Sequence, residues 1–214
     1  MTENIKIYAH RGYHRNCPEN TMESFYAAQE IGCVGVETDV TVDVNGVPIL
    51  FHDRTVDDTL VLGQSRKQLS QIVGYEVPAL SHFMEAFNCT FEMNLEIKHP
   101  IAVLGTLDVI KEYPNTKIVL TSKHHSTAER MQKLTDRKCG PVMSCVPSNL
   151  PSFKPDVFSW NYDCFDPEYK DRCIVGYVAD HMVYNVGREE VDLDFIDVII
   201  TDYPDYFSGQ TRNY

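Results

Sequence analysis

Short apolar runs alternate along the chain with longer segments in which apolar residues recur every three or four positions. The short runs have the length and β-branched content of strands, and the longer segments have the spacing of helices that bury one face. Nine strands are predicted, at 5–10, 34–42, 47–53, 91–98, 117–122, 140–146, 157–162, 181–186 and 197–202. Helices are predicted at 20–31, 79–88, 101–113, 126–136 and 166–180.

The first predicted helix has the clearest end signals. Asn20 is a good N-cap residue, and Glu23 stands three positions later, as in a capping box. An apolar stripe begins at Met22, and Gly32 is placed to end the helix. The pattern therefore predicts a helix that is capped by Asn20 and buries one face.

The alternation of strands and helices predicts an α/β fold with a parallel sheet. Eight strands joined by mostly short connections favour a compact (β/α)8 TIM barrel over an open sheet, and the first strand is not followed by a glycine-rich dinucleotide-binding motif. The ninth run is then a loop or a short extra strand. Prolines at 141, 147, 151 and 155 predict a trimmed or missing helix around 140–165. We expect one domain over residues 1–214.

The charge balance narrows the possible partners. The chain has 31 acidic and 19 basic residues, a net charge of −12, which argues against a nucleic acid or an anionic membrane surface as the main partner. An anionic small molecule stays possible, because a metal ion or a few basic residues can reverse the local field. The sequence itself indicates no oligomeric state.

No apolar run reaches the roughly 18 residues that span a bilayer, and the first ten residues lack the pattern of a secretory signal. We therefore expect no stable membrane insertion and a cytoplasmic location. The seven cysteines show no C-x-x-C spacing, which is typical of reduced, structural thiols.

Two carboxylates stand close together in the second predicted strand. Because side chains alternate along a strand, Glu37 and Asp39 share one face. At the mouth of a barrel they would repel each other and require a cation, and oxygen ligands of this kind suit Mg²⁺ or Ca²⁺. On an exposed edge strand the same pair would simply be solvated. The pair alone is compatible with both situations.

Further polar residues stand where other predicted strands end. Glu96 and Lys98 share a face of the strand at 91–98, as an ordinary ion pair or as a metal ligand beside an anion-binding cation. His52 follows an apolar run, and His10 and Arg11 stand at the end of the first strand. In barrels the carboxyl ends of the strands carry the catalytic groups. Such residues at four successive strand ends indicate an active site at that edge.

Several motifs are found together in this chain. "HRG" and "PENT" (10–12 and 18–21), "ETDV" (37–40), "HD" (52–53) and "LEIK" (95–98) jointly resemble the glycerophosphodiester phosphodiesterase family. The similarity continues at 77–87, 183–186 and 197–204, so it covers essentially the whole chain. The resemblance implies a (β/α)8 barrel and metal-dependent hydrolysis of a phosphodiester. Residues 60–75 stand where many members have a longer segment, so we expect only a short insertion between the third and fourth strands.

The resemblance also assigns roles to seven side chains. Three acids match the ligands of one divalent cation, Mg²⁺ or Ca²⁺: Glu37, Asp39 and Glu96. Two histidines match the catalytic acid–base pair, His10 and His52, and two cations match the phosphate-binding groups, Arg11 and Lys98. The implied reaction converts a small glycerophosphodiester into an alcohol and glycerol 3-phosphate. Either histidine fits either role, and the nucleophile is water or the neighbouring glycerol hydroxyl.

Two other functions fit the same residues. A phospholipase D of the sphingomyelinase type also uses two histidines and a metal, and it would act on choline-bearing lipids. The chain shows no obvious apolar loop for docking on a membrane. A barrel that binds a phosphorylated ligand without catalysis is a further alternative, although this sequence keeps every residue of the matched set.

Overall fold

In a computed structural model the protein is described for residues 5–144, 153–161, 180–184 and 196–208. The strands are β1 (Lys6–His10), β2 (Gly35–Val42), β3 (Pro48–Leu50), β4 (Thr55–Val56), β5 (Thr59–Leu60), β6 (Glu92–Ile97), β7 (Ile118–Ser122), β8 (Lys138–Met143), β9 (Val157–Asn161), β10 (Asp180–Tyr184) and β11 (Val198–Thr201). The helices are α1 (Met22–Glu30), α2 (Arg66–Val73), α3 (Leu80–Phe87), α4 (Ala102–Ile110), α5 (His125–Gln132) and α6 (Pro204–Ser208), with a 3₁₀ turn at Val61–Gly63.

The fold is a mixed α/β fold with a curled parallel sheet, as the sequence pattern predicted. Parallel pairings run from β1 through β2, β6, β7, β8, β9 and β10 to β11, and β11 also pairs with β1. The register places His10 beside Glu37, and Asp39 beside Glu96. Polar residues from three neighbouring strands therefore meet near the carboxyl ends of the sheet.

The run at 47–53 does not contribute a strand to the parallel sheet. Within it β3 pairs antiparallel with the end of β2, with Leu50 opposite Val40 and Pro48 opposite Val42. Strand β3 is therefore the short extra strand that was expected among the nine predicted strands. The prediction that His52 ends a third parallel strand is therefore wrong, because the chain turns back beside β2 before it reaches this residue.

One carboxylate shapes this β2–β3 hairpin. Oδ1 of Asp43 accepts hydrogen bonds from the backbone amides of Asn45 (2.8 Å) and Val47 (3.0 Å). Its Oδ2 accepts from the amide of Arg66 at the start of α2 (3.1 Å). The turn is thus fixed both in itself and against the following helix. It returns the chain to the level of Asp39, whose carbonyl accepts a hydrogen bond from the Phe51 amide (3.0 Å).

The sequence pattern missed most of the structure between β3 and α3. Strands β4 and β5 contain two residues each, too few for a periodic signal. Helix α2 carries readable end signals: Ser65 and Gln68 form a capping box, and Gly74 ends the helix in the left-handed conformation. Helix α2 was not predicted because it contains few apolar residues and the prediction relied on the spacing of apolar positions.

The start of α1 differs from the prediction by one residue. Thr21 is the N-cap, and it exchanges hydrogen bonds with Ser24, each of 3.2 Å. The predicted capping box of Asn20 and Glu23 is wrong, because Asn20 has a positive φ of 54° and directs its side chain elsewhere. The end of the helix is as expected, since Gly32 has a φ of 79°.

The core explains why α1 and α3 hold the sheet at this side. The outward-facing strand residues Val36, Val40 and Leu95 are fully buried under these helices. Phe25 of α1 and Phe83 of α3 pack with ring centroids 4.5 Å apart. Burial of aromatic rings contributes the largest hydrophobic stabilisation per residue. The two helices therefore cover β2 and β6, the strands that carry the acidic residues.

Other predicted features can be compared with the described ranges. The predicted helices at 101–113 and 126–136 correspond to α4 and α5, whereas most of the one at 166–180 lies outside these ranges. Four cysteines within them are free thiols: Cys17, Cys33, Cys89 and Cys139. Among the helices described, none combines the length and the apolar content needed to cross a bilayer.

The amino ends of the strands are held by a second polar cluster, which is centred on Glu92. Its carboxylate accepts hydrogen bonds from Lys6, Tyr8 and Lys117, each of 2.8 Å at the closest oxygen. Tyr8 fits because Gly35 lies beside it: a Cβ on Gly35 would stand 2.5 Å from the tyrosine ring. A cavity of about 640 Å³ opens at this end, far from the acids of β2.

The charge of Glu92 is expected to stabilise the fold at neutral pH. Burial alone would raise its pKa, but hydrogen bonds from Lys117, Lys6 and Tyr8 lower the pKa to about 2. Because the folded-state pKa lies below the ordinary 4.5, this stabilisation is fully present above about pH 4.5 and is lost as the pH falls through about 2.

We predict that Glu92→Gln lowers the free energy of unfolding near pH 7 and has a much smaller effect near pH 2.5. Urea unfolding of both proteins at the two pH values measures this difference. Glu85→Gln, on the exposed face of α3, is the control and should have little effect at either pH. A deficit in Glu92→Gln that is equal at both pH values would show that packing, not charge, is responsible.

Candidate active site

Three acids meet near the carboxyl end of the sheet. Glu37 and Asp39 of β2 and Glu96 of β6 each offer a carboxylate oxygen, and these oxygens all lie within 4.8 Å of one another. The residues are 4%, 1% and 9% exposed, so bulk water does not screen their charges. Strand alternation aligns the first two, and the parallel register of β2 and β6 adds the third. The structure thus brings together the three predicted acids.

Burial and neighbouring charges both change the pKa values of these acids. Burial and the charge of Asp39 raise the pKa of Glu37 to about 8. Burial also disfavours ionisation of Asp39, but the neighbouring Lys98 and Arg11 charges hold its pKa below the usual range. A buried carboxyl with a strongly raised pKa lacks compensating positive charge. Carboxylate oxygens that lack such compensation are suitable ligands for a hard divalent cation such as Mg²⁺ or Ca²⁺.

The two predicted cations lie directly against the acids. Nζ of Lys98 is 3.1 Å from Oδ1 of Asp39 and 2.9 Å from Oε1 of Glu96. Nε of Arg11 is 3.2 Å from Oδ2 of Asp39, and its Nη1 is 2.9 Å from Oε1 of Glu19. Both positive charges are therefore held in place by carboxylates at the rim of the sheet.

The turn after β1 depends on a glycine. Gly12 has a φ of +77°, and a Cβ built on it would lie 2.3 Å from Oγ of Ser24. Only glycine fits this conformation and this contact without strain. This tight turn directly follows His10 and Arg11.

His10 is held by a carboxylate that the sequence reading did not assign to the site. Its Nδ1 lies 2.7 Å from Oδ1 of Asp202, and its Nε2 lies 3.7 Å from Oε2 of Glu37. An ionised carboxylate only accepts hydrogen bonds, so Nδ1 carries the proton and Nε2 is directed at the acids. Burial opposes protonation of His10, but the Asp202 hydrogen bond and the Glu37 charge raise its pKa overall.

Asp202 also joins a second histidine to this network. Nε2 of His14 lies 3.1 Å from the same Asp202 oxygen, and Arg15 forms an ion pair with Asp205 at 3.0 Å. The segment from Asp202 to Asp205 is thus tied to the end of β1 and to the loop after it by three side-chain contacts. Asp202 lies in segment 197–204, where the resemblance to the family continues. No local sequence pattern connects it to His10, which stands 192 positions earlier.

His52 reaches the site from the β2–β3 hairpin. Its Nδ1 lies 2.8 Å from Oδ1 of Asp53, and its side chain is 27% exposed. It lies close enough to Asp39 for its charge to lower the pKa of that carboxyl. Asp53 therefore orients His52.

Asn20 holds the Asp39 carboxylate in place through a buried hydrogen bond. The buried Asn20 side chain donates from Nδ2 to Oδ2 of Asp39 (3.0 Å) and accepts from Oγ1 of Thr38 (2.7 Å). Three successive residues of "PENT" thus have separate tasks: Glu19 contacts Arg11, Asn20 fixes Asp39, and Thr21 caps α1. The second task takes the place of the capping role that the sequence analysis assigned to Asn20.

A model of the glycerophosphoryl diester phosphodiesterase family matches residues 10–145, which is more than half of the chain. The chain belongs to this family. The match begins at His10 and includes all seven residues that the resemblance selected. Asp202 lies beyond the matched segment.

Individual relatives agree with membership in the glycerophosphoryl diester phosphodiesterase family. A glycerophosphodiester phosphodiesterase from Caldanaerobacter subterraneus is 29% identical over 162 residues, which cover 65% of this chain and 67% of the relative. Glycerophosphodiester phosphodiesterase 1 from Rattus norvegicus is 42% identical over 57 residues, which cover 27% of this chain and 17% of the rat protein.

Solved structures share the fold over nearly the whole length. A glycerophosphodiester phosphodiesterase from Parabacteroides distasonis has a TM-score of 0.84 at 19% identity, and the match covers 99% of this chain and 98% of that one. An Oleispira antarctica phosphodiesterase in complex with the product sn-glycerol-3-phosphate has a TM-score of 0.81 at 22% identity, with 98% and 97% covered.

We predict that Asn20→Ala destabilises the protein, because it leaves the Thr38 hydroxyl and the Asp39 carboxylate without their buried partner. The expected loss is about 2–4 kcal/mol in the free energy of unfolding, measured in urea. Asn20→Gly is the matched control, since glycine tolerates a φ of 54° and lacks the amide. Equal losses in both variants would identify the amide as the cause, and a stable Asn20→Gly would identify backbone strain instead.

Proposed function

We propose that this protein hydrolyses a small glycerophosphodiester to an alcohol and glycerol 3-phosphate, with the help of one divalent cation. The observation that carries the proposal is the cluster of three buried carboxylates with oxygens within 4.8 Å, beside two histidines and two cations. Relatives named glycerophosphodiester phosphodiesterase support it, as does the similar structure that holds sn-glycerol-3-phosphate.

We infer further that the chain is one domain, a compact (β/α)8 TIM barrel over residues 1–214. The parallel pairings that lead from β1 around the sheet to β11 and back to β1 support a closed barrel. The segment from β4 to α3 is then the insertion between the β2–β3 hairpin and β6. A barrel of this kind presents all the proposed catalytic groups at its carboxyl end.

Glu37, Asp39 and Glu96 would hold the cation, Mg²⁺ or Ca²⁺. When bound, such an ion supplies Lewis-acid polarisation of a phosphate oxygen and offsets its negative charge. Arg11 and Lys98 would bind the remaining phosphate oxygens, since both side chains lie next to the three acids that would hold the cation. The substrate is thereby oriented with its ester bonds towards the histidines.

The two histidines share an arrangement that suits proton transfer. In each of them Nδ1 is bound to a carboxylate, Asp202 for His10 and Asp53 for His52, so Nε2 is the nitrogen left for the reacting oxygens. One histidine removes the proton of the nucleophile, and the other protonates the departing alkoxide. Each transfer accelerates the reaction by roughly 10²–10⁴. Water and the glycerol hydroxyl both remain suitable nucleophiles.

The proposal predicts metal-dependent cleavage of glycerophosphodiesters. Purified protein with Mg²⁺ or Ca²⁺ should release alcohol from glycerophosphocholine or glycerophosphoethanolamine, and a chelator should abolish the activity. His10→Ala should lower kcat/KM by about 10²-fold or more, whereas His82→Ala, on the exposed face of α3, should not. Cleavage that survives both chelation and His10→Ala would refute the proposal. Preference for micellar lysolipid would instead favour the phospholipase D alternative.

Asp202 is predicted to position His10 without touching the substrate. Asp202→Asn should lower kcat by about 10–100-fold with little change in KM, because the amide can donate to Nδ1 and favour the wrong tautomer. Asp205→Asn is the matched control, since it weakens the Arg15 ion pair of the same turn and leaves His10 alone. Equal losses in the two variants would show that Asp202 acts through the fold of the turn.

A further inference from the structure

Lys123 stands at the rim of the candidate active site and has no role in the mechanism described above. It follows the last residue of β7, and it lines a cavity of about 70 Å³ together with His10, Glu37 and Glu96. The preceding Ser122 is buried and donates a hydrogen bond to the carbonyl of Ile97 (2.7 Å). The backbone next to Lys123 is thereby anchored to the carboxyl end of β6, which carries Glu96.

The strand register explains why this lysine reaches the cavity. Thr121 pairs with Glu96, and its hydroxyl donates to Oδ1 of Asn94 on the inner side of the sheet (2.8 Å). Lys123 lies two residues beyond Thr121, as Lys98 lies two residues beyond Glu96. The two lysines thus follow neighbouring strands at corresponding positions, and Lys123 lines the cavity.

The charges in the site set Lys123 apart from the other cations. Arg11 contacts Asp39 and Glu19, and Lys98 contacts Asp39 and Glu96, so both are already paired with carboxylates. Lys123 is exposed, and within the described ranges it forms neither an ion pair nor a side-chain hydrogen bond. An anion that enters the cavity therefore meets an ammonium group that no carboxylate of these ranges neutralises.

We propose that Lys123 binds an anionic oxygen of the substrate, as a third substrate-binding cation of the site. This inference rests on the proposed function, because it takes a phosphodiester as the molecule that enters the cavity. The oxygen belongs either to the phosphodiester or to an acidic group on the leaving alcohol. The chemistry is the same in both cases: a charge-assisted hydrogen bond from an ammonium group.

The substrates glycerophosphoethanolamine and glycerophosphoserine distinguish the two sources, because their alcohols differ by a single carboxylate. Lys123→Met should lower kcat/KM by about 10–100-fold on one or both. If kcat/KM falls equally on both substrates, the contact is with the phosphodiester. If it falls on glycerophosphoserine alone, the contact is with the leaving alcohol. Lys123→Arg should retain most of the activity on the affected substrate.

Lys133→Met is the matched control. Lys133 lies at the far end of α5, its side chain is 71% exposed, and it is paired with Glu129 at 2.6 Å. Its replacement should therefore leave kcat/KM unchanged on both substrates. Unchanged kcat/KM of Lys123→Met on both diesters would overturn the inference.

A binding measurement separates failure of this inference from failure of the proposed function. Calorimetric titration of the intact proteins with inorganic phosphate, in the presence of Mg²⁺, requires no turnover. Affinity that is about 10-fold weaker in Lys123→Met than in wild type supports the anion contact even if neither diester is cleaved. If the wild-type protein cleaves neither diester and binds phosphate no better than Lys123→Met, both proposals fail.

Discussion

Repulsion between three carboxylates buried side by side governs the arrangement of this end of the molecule. Glu37, Asp39 and Glu96 are all at most 9% exposed, so water contributes little to their solvation. Positive charge must replace it, and Lys98 and Arg11 provide part of that charge at 2.9–3.2 Å. The pKa of Glu37, raised to about 8 by burial and by Asp39, shows that the replacement is incomplete. The incomplete balance makes the cluster suited to binding a cation.

The opposite end of the sheet holds a partly buried acid whose charge is well compensated. Glu92 accepts hydrogen bonds from Lys6, Tyr8 and Lys117, and these lower its pKa to about 2. Three donors favour the charged form of Glu92, whereas burial and the Asp39 charge favour the neutral form of Glu37. The well-compensated carboxylate thus lies at the amino ends of the strands, and the poorly compensated one lies near their carboxyl ends.

The accuracy of the sequence-based prediction varied with the range of the interactions concerned. Elements with a strong apolar period, such as α3 and β6, were predicted within one or two residues. Helix α2 was missed because its surface is mostly polar, and the cap of α1 was displaced by one residue because Asn20 and Thr21 are both good N-cap residues. The side chain of Asn20 donates a hydrogen bond to Asp39 in β2, a contact that no local sequence pattern predicts.

The sequence by itself determined which residues share a face: alternation along β2 places Glu37 and Asp39 together in any sheet that contains this strand. Only the tertiary structure decided what surrounds them. The register of β2 against β6 placed Glu96 beside Asp39, and the antiparallel return of β3 carried His52 back to the rim. Alternation is a property of a single chain segment, whereas register and turn direction depend on the packing of segments distant in sequence.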